Sequence, residues 1–279
     1  MQFNVFQCSY VCNCANLHYF LRYNGKYMLT LQRKKLILHR LLSDGQIIAK
    51  TLAVELGISE DSIRRDLREL AQEGLLQRVH GGALPASAAL APLAVRQEIA
   101  TSDKQMLGRA AAAMIKPGQV VVLDGGSTAL QIARHLAFDL RATVVTHSPT
   151  IAVELASKPS LEIIMLGGRL YRHSMVNVGA ATIAAMAKIR ADIYFMGVTG
   201  VHVEVGLTTG DFEEAAVKQA LHASSAETVV LASAEKLGAA SAFTIAPITE
   251  LASLVLTAQT SAKVQRLYKA AGLTLVLAR

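Results

Sequence analysis

The sequence predicts an α/β chain in two parts: a small helical module that ends in a hairpin, then a larger domain built on a mostly parallel sheet. Three observations predict it. Before residue 85, helix-period apolar segments are punctuated by glycines. After residue 120, short β-rich apolar runs alternate with helical stretches, the pattern of a sheet buried on both faces. Between them, Pro85 to about Ala100 is rich in Ala and Pro and low in charge, as an interdomain connection is. Length agrees, since 279 residues suit about two domains. With 52% hydrophobic residues the chain can bury a sizeable core and is no disordered tail.

In the first part, Leu31, Leu38, Leu41 and Leu42, with Ile37, form a stripe at helical spacing, and Ser43-Asp44-Gly45 closes that helix. Ile48 to Leu56 is a second short helix, with Gly57 where a left-handed cap is needed. Ser59 caps a third, whose first turn holds Glu60 and Asp61, where the helix dipole favours acids. Ile63, Leu67 and Leu70 give it one buried face, and Gly74 ends it. Leu75 to Val79 is then a strand, His80-Gly81-Gly82 a turn and Ala83-Leu84 the returning edge.

In the second part, Asp103 is expected to cap a helix running to Ile115. Strand-like runs follow at 120–123, 143–146, 162–166, 193–196, 228–231, 254–256 and 273–277. Helical stretches lie between them at 129–137, 150–157, 180–189, 213–224 and 261–270. The expected domains are therefore 28–84, a linker over 85–102, and 103–279. Residues 1–27 do not share the patterning and are expected to be an upstream extension without function, Met28 being the natural beginning.

Composition narrows the function. Net charge is +7, from 28 basic and 21 acidic residues, and it is spread along the chain rather than massed in a tail. That fits a polyanionic partner met by a local face. Lack of Trp and an aromatic content of 5% argue against an aromatic-cage surface. No apolar run approaches the roughly 18 residues that span a membrane. Cys8, Cys12 and Cys14 stand alone at the start of the chain, so no disulfide framework staples the fold. His18 is the sole nearby fourth ligand for them, too little for a predicted metal site.

Two motifs carry chemistry. In the first part, the side of the third helix opposite its apolar face presents Ser62, Arg64, Arg65 and Arg68 beyond the Ser59 cap. Arginines reach guanine edges bidentately in the major groove, and serine bonds a base or a phosphate. The hairpin adds Arg78 and His80 beside Gly81-Gly82, a small basic wing suited to the DNA backbone. A solvated face, its arginines paired to Asp61, Asp66 and Glu69, is the competing account. Residues 33–84 resemble the winged helix-turn-helix of DeoR-type bacterial transcriptional regulators. The resemblance rests on Leu52 to Ser59, on Ser62-Ile63-Arg64-Arg65-Asp66-Leu67-Arg68-Glu69-Leu70, and on Gly74 to Ala83 with its Arg78-Val79-His80-Gly81-Gly82 hairpin.

In the second part, polar or glycine-rich turns follow successive strands: Asp124-Gly125-Gly126-Ser127-Thr128, Thr146-His147-Ser148, and Gly167-Gly168. In a parallel sheet such turns share the edge where ligands bind. Asp211, Glu214 and Lys218 come later, and Lys236 follows the strand ending at Leu231. These elements resemble those of the DeoR-type sensor domain, itself similar to ribose-5-phosphate isomerase and CoA-transferase-like folds. His147 stands where that family has Asn, and Ala232-Ser233-Ala234-Glu235-Lys236 replaces its Asp and Ser positions while keeping Lys236 and Gly238.

The resemblance implies a DNA-binding regulator of a carbohydrate operon, most simply a repressor. It would be a cytoplasmic homo-oligomer on a double-stranded operator, without membrane or cofactor, and with a phosphorylated sugar as effector. It further implies that the phosphate sits in the Gly125–Thr128 turn near Lys218 or Lys236, with Asp124, Asp211 and Glu214 on the sugar hydroxyls. An alternative is a sugar-phosphate isomerase with an attached DNA-binding domain, using Asp211, Glu214 and Lys218 as acid–base groups.

Overall fold

A computed structural model of the chain describes residues 29–279. The expectation for residues 1–27, cysteines included, lies outside the described residues. The chain forms two compact units. One runs up to Glu73 and takes in Arg78–Ala83; the other comprises Gly74–Gln77 and Leu84–Arg279.

The first unit is built from α1 (Thr30–Asp44), β1 (Ile47–Ile48), α2 (Ala49–Leu56), α3 (Glu60–Gln72) and the hairpin strands β2 (Leu76–Val79) and β3 (Gly82–Pro85). Ile37, Leu41, Leu52, Ile63, Leu67 and Leu70 bury their side chains as the helical spacing predicts, whereas Leu31 is exposed. Gly45 and Gly57 end α1 and α2 in left-handed conformation. The expected second helix loses Ile48, because Ile47 and Ile48 extend and pair with Ala83 and Gly82, giving a sheet ordered β1-β3-β2. That pairing explains Gly82: a Cβ there would lie 1.7 Å from the Ile47 carbonyl oxygen.

Residues 85–102 are more than a linker. They hold a 3₁₀ turn (Ala88–Leu90), the helix α4 (Leu93–Glu98), and the start of α5 (Thr101–Ala112). Leu93 is buried and its N–H donates to the His173 carbonyl at 2.9 Å. Ala100, left-handed at φ 49°, precedes α5 and no side chain caps it, so Asp103 sits in the first turn rather than at the cap.

The second unit is organised by a seven-stranded sheet ordered β15-β14-β12-β9-β4-β5-β6. Its strands are β4 (Val120–Leu123), β5 (Ala142–Thr146), β6 (Leu161–Met165), β9 (Ala191–Met196), β12 (Ser225–Ala232), β14 (Ser253–Thr257) and β15 (Leu275–Ala278), each parallel to its neighbours. Alternate residues feed two apolar clusters. Val122, Tyr194, Met196, Val230 and Leu254 face one way, and Val121, Leu123, Phe195, Val229 and Val255 the other. The second cluster packs under α5, α6 (Ser127–His135) and α7 (Pro149–Leu155). The first packs under α8 (Ala180–Met186), α9 (Phe212–Ala223) and α10 (Ala262–Ala270). Helices on both faces explain why the strands read as continuous apolar runs.

Smaller antiparallel elements were not foreseen: the hairpin β7 (Arg169–Tyr171) with β8 (Val176–Val178), and a sheet of β10 (Gly200–His202), β11 (Gly206–Thr209) and β13 (Phe243–Ala246). Among the described residues no helix is long and apolar enough to cross a membrane.

Candidate functional site

In the first unit, the third helix sorts its charges by face. Asp66 is buried and bonds Arg33 of α1, whose Nη2 donates to Oδ1 at 3.0 Å. Glu69 pairs with Lys34 at 2.9 Å. With two of the three nearby carboxylates turned towards α1, Arg65 and Arg68 lie exposed and form no salt bridge with described residues. Arg64 is exposed too, and returns to Glu60 one turn earlier, its Nε 3.0 Å away. Ser59 accepts from the Ser62 N–H at 3.2 Å, fixing the helix start. Arg78 and His80 are exposed on the hairpin. The solvated-pair account expected these arginines to be tied to Asp61, Asp66 and Glu69; α1 instead claims the last two, leaving an outward basic face.

In the second unit, sheet order points to where a candidate ligand site would lie. The chain leaves β4 for β5 and β6 on one side and returns to β9 on the other. The crevice therefore opens between the carboxyl ends of β4 and β9. A cavity occupies that place. Gly125, Gly126, Ser127 and Thr128 line it after β4, Met196 and Gly197 at the end of β9, and Leu231, Glu235 and Lys236 at and beyond the end of β12. Glu214 and Lys218 of α9 complete it, together with Arg96 and Lys104. Gly126 precedes α6 at φ 109°, a conformation that favours glycine, and Ser127, Thr128 and Ala129 of the first turn line the cavity, so the uncapped start of α6 lies at its wall. Gly125 has a packing reason: a Cβ there would stand 2.1 Å from Val176 Cγ1.

Asp124 lies behind this wall, fully buried, with both oxygens saturated. Oδ1 accepts from Gly125 N (2.7 Å) and His147 Nε2 (2.8 Å). Oδ2 accepts from Tyr194 Oη (2.8 Å), Gly197 N (2.8 Å) and Lys218 Nζ (2.5 Å). Burial opposes its charge, yet Lys218 and His147 hold the carboxyl well below the usual aspartate range. Lys218 also meets Glu214 at 3.4 Å, and burial is overcome by the two carboxylates, which raise its pKa. Glu214 Oε2 accepts from Thr209 Oγ1 at 2.9 Å.

Lys236 differs. It is 6% exposed, its Nζ is 3.4 Å from Thr128 Oγ1, and no carboxylate pairs with it among the described residues. Burial pushes its pKa down to about 8, Glu235 opposing and Lys104, Arg96 and Lys218 adding to the shift. Four basic side chains thus face a cavity lined by two carboxylates: Glu214 meets Lys218, and Glu235 accepts from Ser233 Oγ at 2.6 Å.

Several expected effector residues lie elsewhere. Thr146, His147 and Ser148 are fully buried, and Gly167, Gly168 and Asp211 do not line the cavity. The turns after β5 and β6 are plugged by the β7–β8 hairpin. Asn177 N donates to the His147 carbonyl at 2.7 Å, Asn177 Nδ2 to the Leu166 carbonyl at 2.8 Å, and Ser148 Oγ to the Met175 carbonyl at 2.9 Å. Gly168 packs against Thr182, and Asp211 caps α9 by accepting from Glu214 N at 2.9 Å. Asp124 touches no open space and acts by fixing Lys218. The sequence reading passed over Arg96 and Lys104. The signal was there: Arg96 is the one Lys or Arg between Arg78 and Lys104.

A winged helix-turn-helix with an outward basic face, on the same chain as an α/β unit holding a cationic cavity, defines a DNA-binding regulator with a small-molecule sensor. Residues 33–88 match the DeoR-like helix-turn-helix domain and residues 99–257 the DeoR C-terminal sensor domain. The chain belongs to the DeoR family of transcriptional regulators. It is 32% identical over 252 residues to the HTH-type transcriptional regulator GlpR of Haloferax volcanii, covering 89% of this chain and 98% of that one. It is 29% identical over 212 residues to the glycerol-3-phosphate regulon repressor of Escherichia coli, covering 76% and 84%. Among solved structures, ribose 5-phosphate isomerase A of Methanocaldococcus jannaschii overlaps 48% of this chain and 53% of its own, at 21% identity and TM-score 0.36.

Proposed function

We propose that the chain represses a carbohydrate-utilisation operon and that a phosphorylated sugar, bound in the β4–β9 crevice, controls it. The observation that carries this reading is Lys236, buried, weakly bonded and beside the start of α6. A phosphate there would gain a charge-assisted bond from the ammonium and N–H groups from the helix start. Lys218, already neutralised, orients the wall instead. That the Escherichia coli relative is a glycerol-3-phosphate regulon repressor agrees with a phosphorylated effector.

We infer that the crevice binds rather than turns over its ligand. The groups the isomerase reading uses for proton transfer are already engaged: Lys218 with Asp124 and Glu214, Glu214 with Thr209, and Asp211 in the α9 cap. Operators with two-fold symmetry call for a homo-oligomer.

The test is a gel shift with the full chain on DNA upstream of its own gene. Expected is preference over bulk DNA at moderate salt, abolished or strengthened by one phosphorylated sugar and indifferent to the same sugar without phosphate. Equal binding of all DNA, or measurable turnover of pentose or hexose phosphates, would overturn the reading.

A further inference from the structure

Of the four basic residues around the cavity, Arg96 has the least explained position. Lys218 is neutralised by Asp124 and Glu214, and Lys104 gives its protons to the carbonyls of Arg96 (2.6 Å) and Ile99. Among the described residues Arg96 makes one side-chain bond, from Nη2 to Ser174 Oγ at 3.3 Å. Its Nε is buried and has no partner among the described residues. Its Nη1 reaches towards the Gly125-Gly126 turn, 3.6 Å from where a Cβ on Gly126 would stand. Burial lowers its pKa, with Glu214 and Asp124 opposing from a distance. A half-buried guanidinium whose Nε–H is buried and unpaired, with no salt bridge among the described residues, gains when an anion meets it. A planar fork of N–H donors is also the geometry that takes two oxygens of one phosphate.

The second observation is where Arg96 lies in the chain. Helix α4 belongs to the segment that leaves β3 of the winged module and enters the sensor unit. The segment meets the rest of the sensor unit at separate points: Ala86 bridges Ala240, Ser87 Oγ donates to the Glu235 carbonyl at 3.5 Å, Leu90 accepts from His173 Nε2 at 2.8 Å, Leu93 donates to the His173 carbonyl, and Lys104 holds the carbonyls of Arg96 and Ile99. Its arginine faces the cavity that Lys236 and the start of α6 face from the sheet.

We propose that residues 86–99 form a strap fastened by the anion. The phosphate bridges Arg96 on the strap to Lys236 and the α6 N-terminus, and occupancy reaches the winged module through the chain itself. The ligand class is a phosphomonoester, and the proposal rests on reading the crevice as a phosphate site.

The test uses the full chain, saturating inorganic phosphate, and the sugar phosphates of the gel-shift panel. Hydrogen exchange of peptides within residues 86–100 is compared with and without each anion. Calorimetric affinities are measured for wild type, Arg96→Gln, Arg96→Lys and Lys236→Gln. Expected is slowed exchange in the strap on binding, and affinity lost roughly ten- to a hundredfold in Arg96→Gln. Arg96→Lys should recover part of it, because it restores charge without the fork. Strap exchange unchanged by a bound anion, or Arg96→Gln binding as wild type while Lys236→Gln fails, would overturn the strap and leave the phosphate site standing. Failure of every anion to bind wild type would overturn the site itself, and the strap with it. Should Arg96→Gln misfold, the exchange measurement on wild type decides alone.

Discussion

At the scale of one residue, the proposed effector site carries a cost borne by Lys236. Its folded-state pKa of about 8 lies below the free-lysine value of 10.5, so the unfolded chain holds the extra proton between those values and stability rises with pH across that window. A bound dianion favours the ammonium and reverses this. Effector affinity is therefore expected to fall as pH rises through about 8, and to fall below about pH 6, where the phosphate becomes a monoanion. Calorimetry across pH 5.5–9.5, a range chosen around those values, checks it; Lys236→Gln should lose the alkaline limb and keep the acid one. Lys236→Met should raise the Tm of the ligand-free chain while removing the response to effector, since it trades a buried charge for an apolar stem. Asp124 behaves oppositely. Its carboxylate stabilises the fold above the free-aspartate value of 3.8, and that contribution is lost only as pH falls below it. Asp124→Asn would place an amide against donors and strand Lys218, at a cost of about 3–5 kcal/mol in a urea melt. A melt within about 1 kcal/mol of wild type would show that the five-donor cage is dispensable.

At the scale of elements, α3 separates fold from function by face. Asp66→Ala removes the buried partner of Arg33 and is expected to destabilise the winged module by about 3 kcal/mol, seen by denaturation. Arg68→Ala removes nothing the fold uses, so Tm should hold while operator affinity drops. If Arg68 meets a phosphate, the log–log salt slope should shrink by about one as well. Coincident losses of stability and binding in both variants would refute the division. Elements with long periodic patterns were legible from sequence: α2, α3 and the seven parallel strands lie within a few residues of their expected places. The strands β1, β7, β8, β10, β11 and β13 were not, because each is two to four residues long, and β1 and β13 are further defined only by pairing with segments far along the chain. That blindness moved the site. Turns after β5 and β6 looked equivalent to the one after β4 until the β7–β8 hairpin was seen to cover them. Likewise the Ala- and Pro-rich stretch around α4 looks like a linker, because its polar partners, His173 and Ser174, lie far along the chain.

At the scale of the whole molecule, the effector can change DNA binding only by its differential affinity for the DNA-competent and incompetent states. Coupling is reciprocal: whatever factor the sugar phosphate takes from operator affinity, operator must take from sugar-phosphate affinity, commonly about 5–150-fold. Both limbs are measurable with the full chain. The first is operator titration at zero and saturating effector, and the second is effector titration at zero and saturating operator, all at one salt concentration because DNA affinity is salt-dependent. Equal factors are expected. Equal factors with bulk DNA in place of operator would mean that the anion competes for a basic surface, and an allosteric account would then fail. Arg68→Ala should weaken operator binding and leave the coupling factor intact, since it touches DNA and not the crevice. Lys236→Gln should leave operator binding intact and bring the factor towards one, because a ligand that no longer distinguishes the two states shifts nothing, however much of it is added.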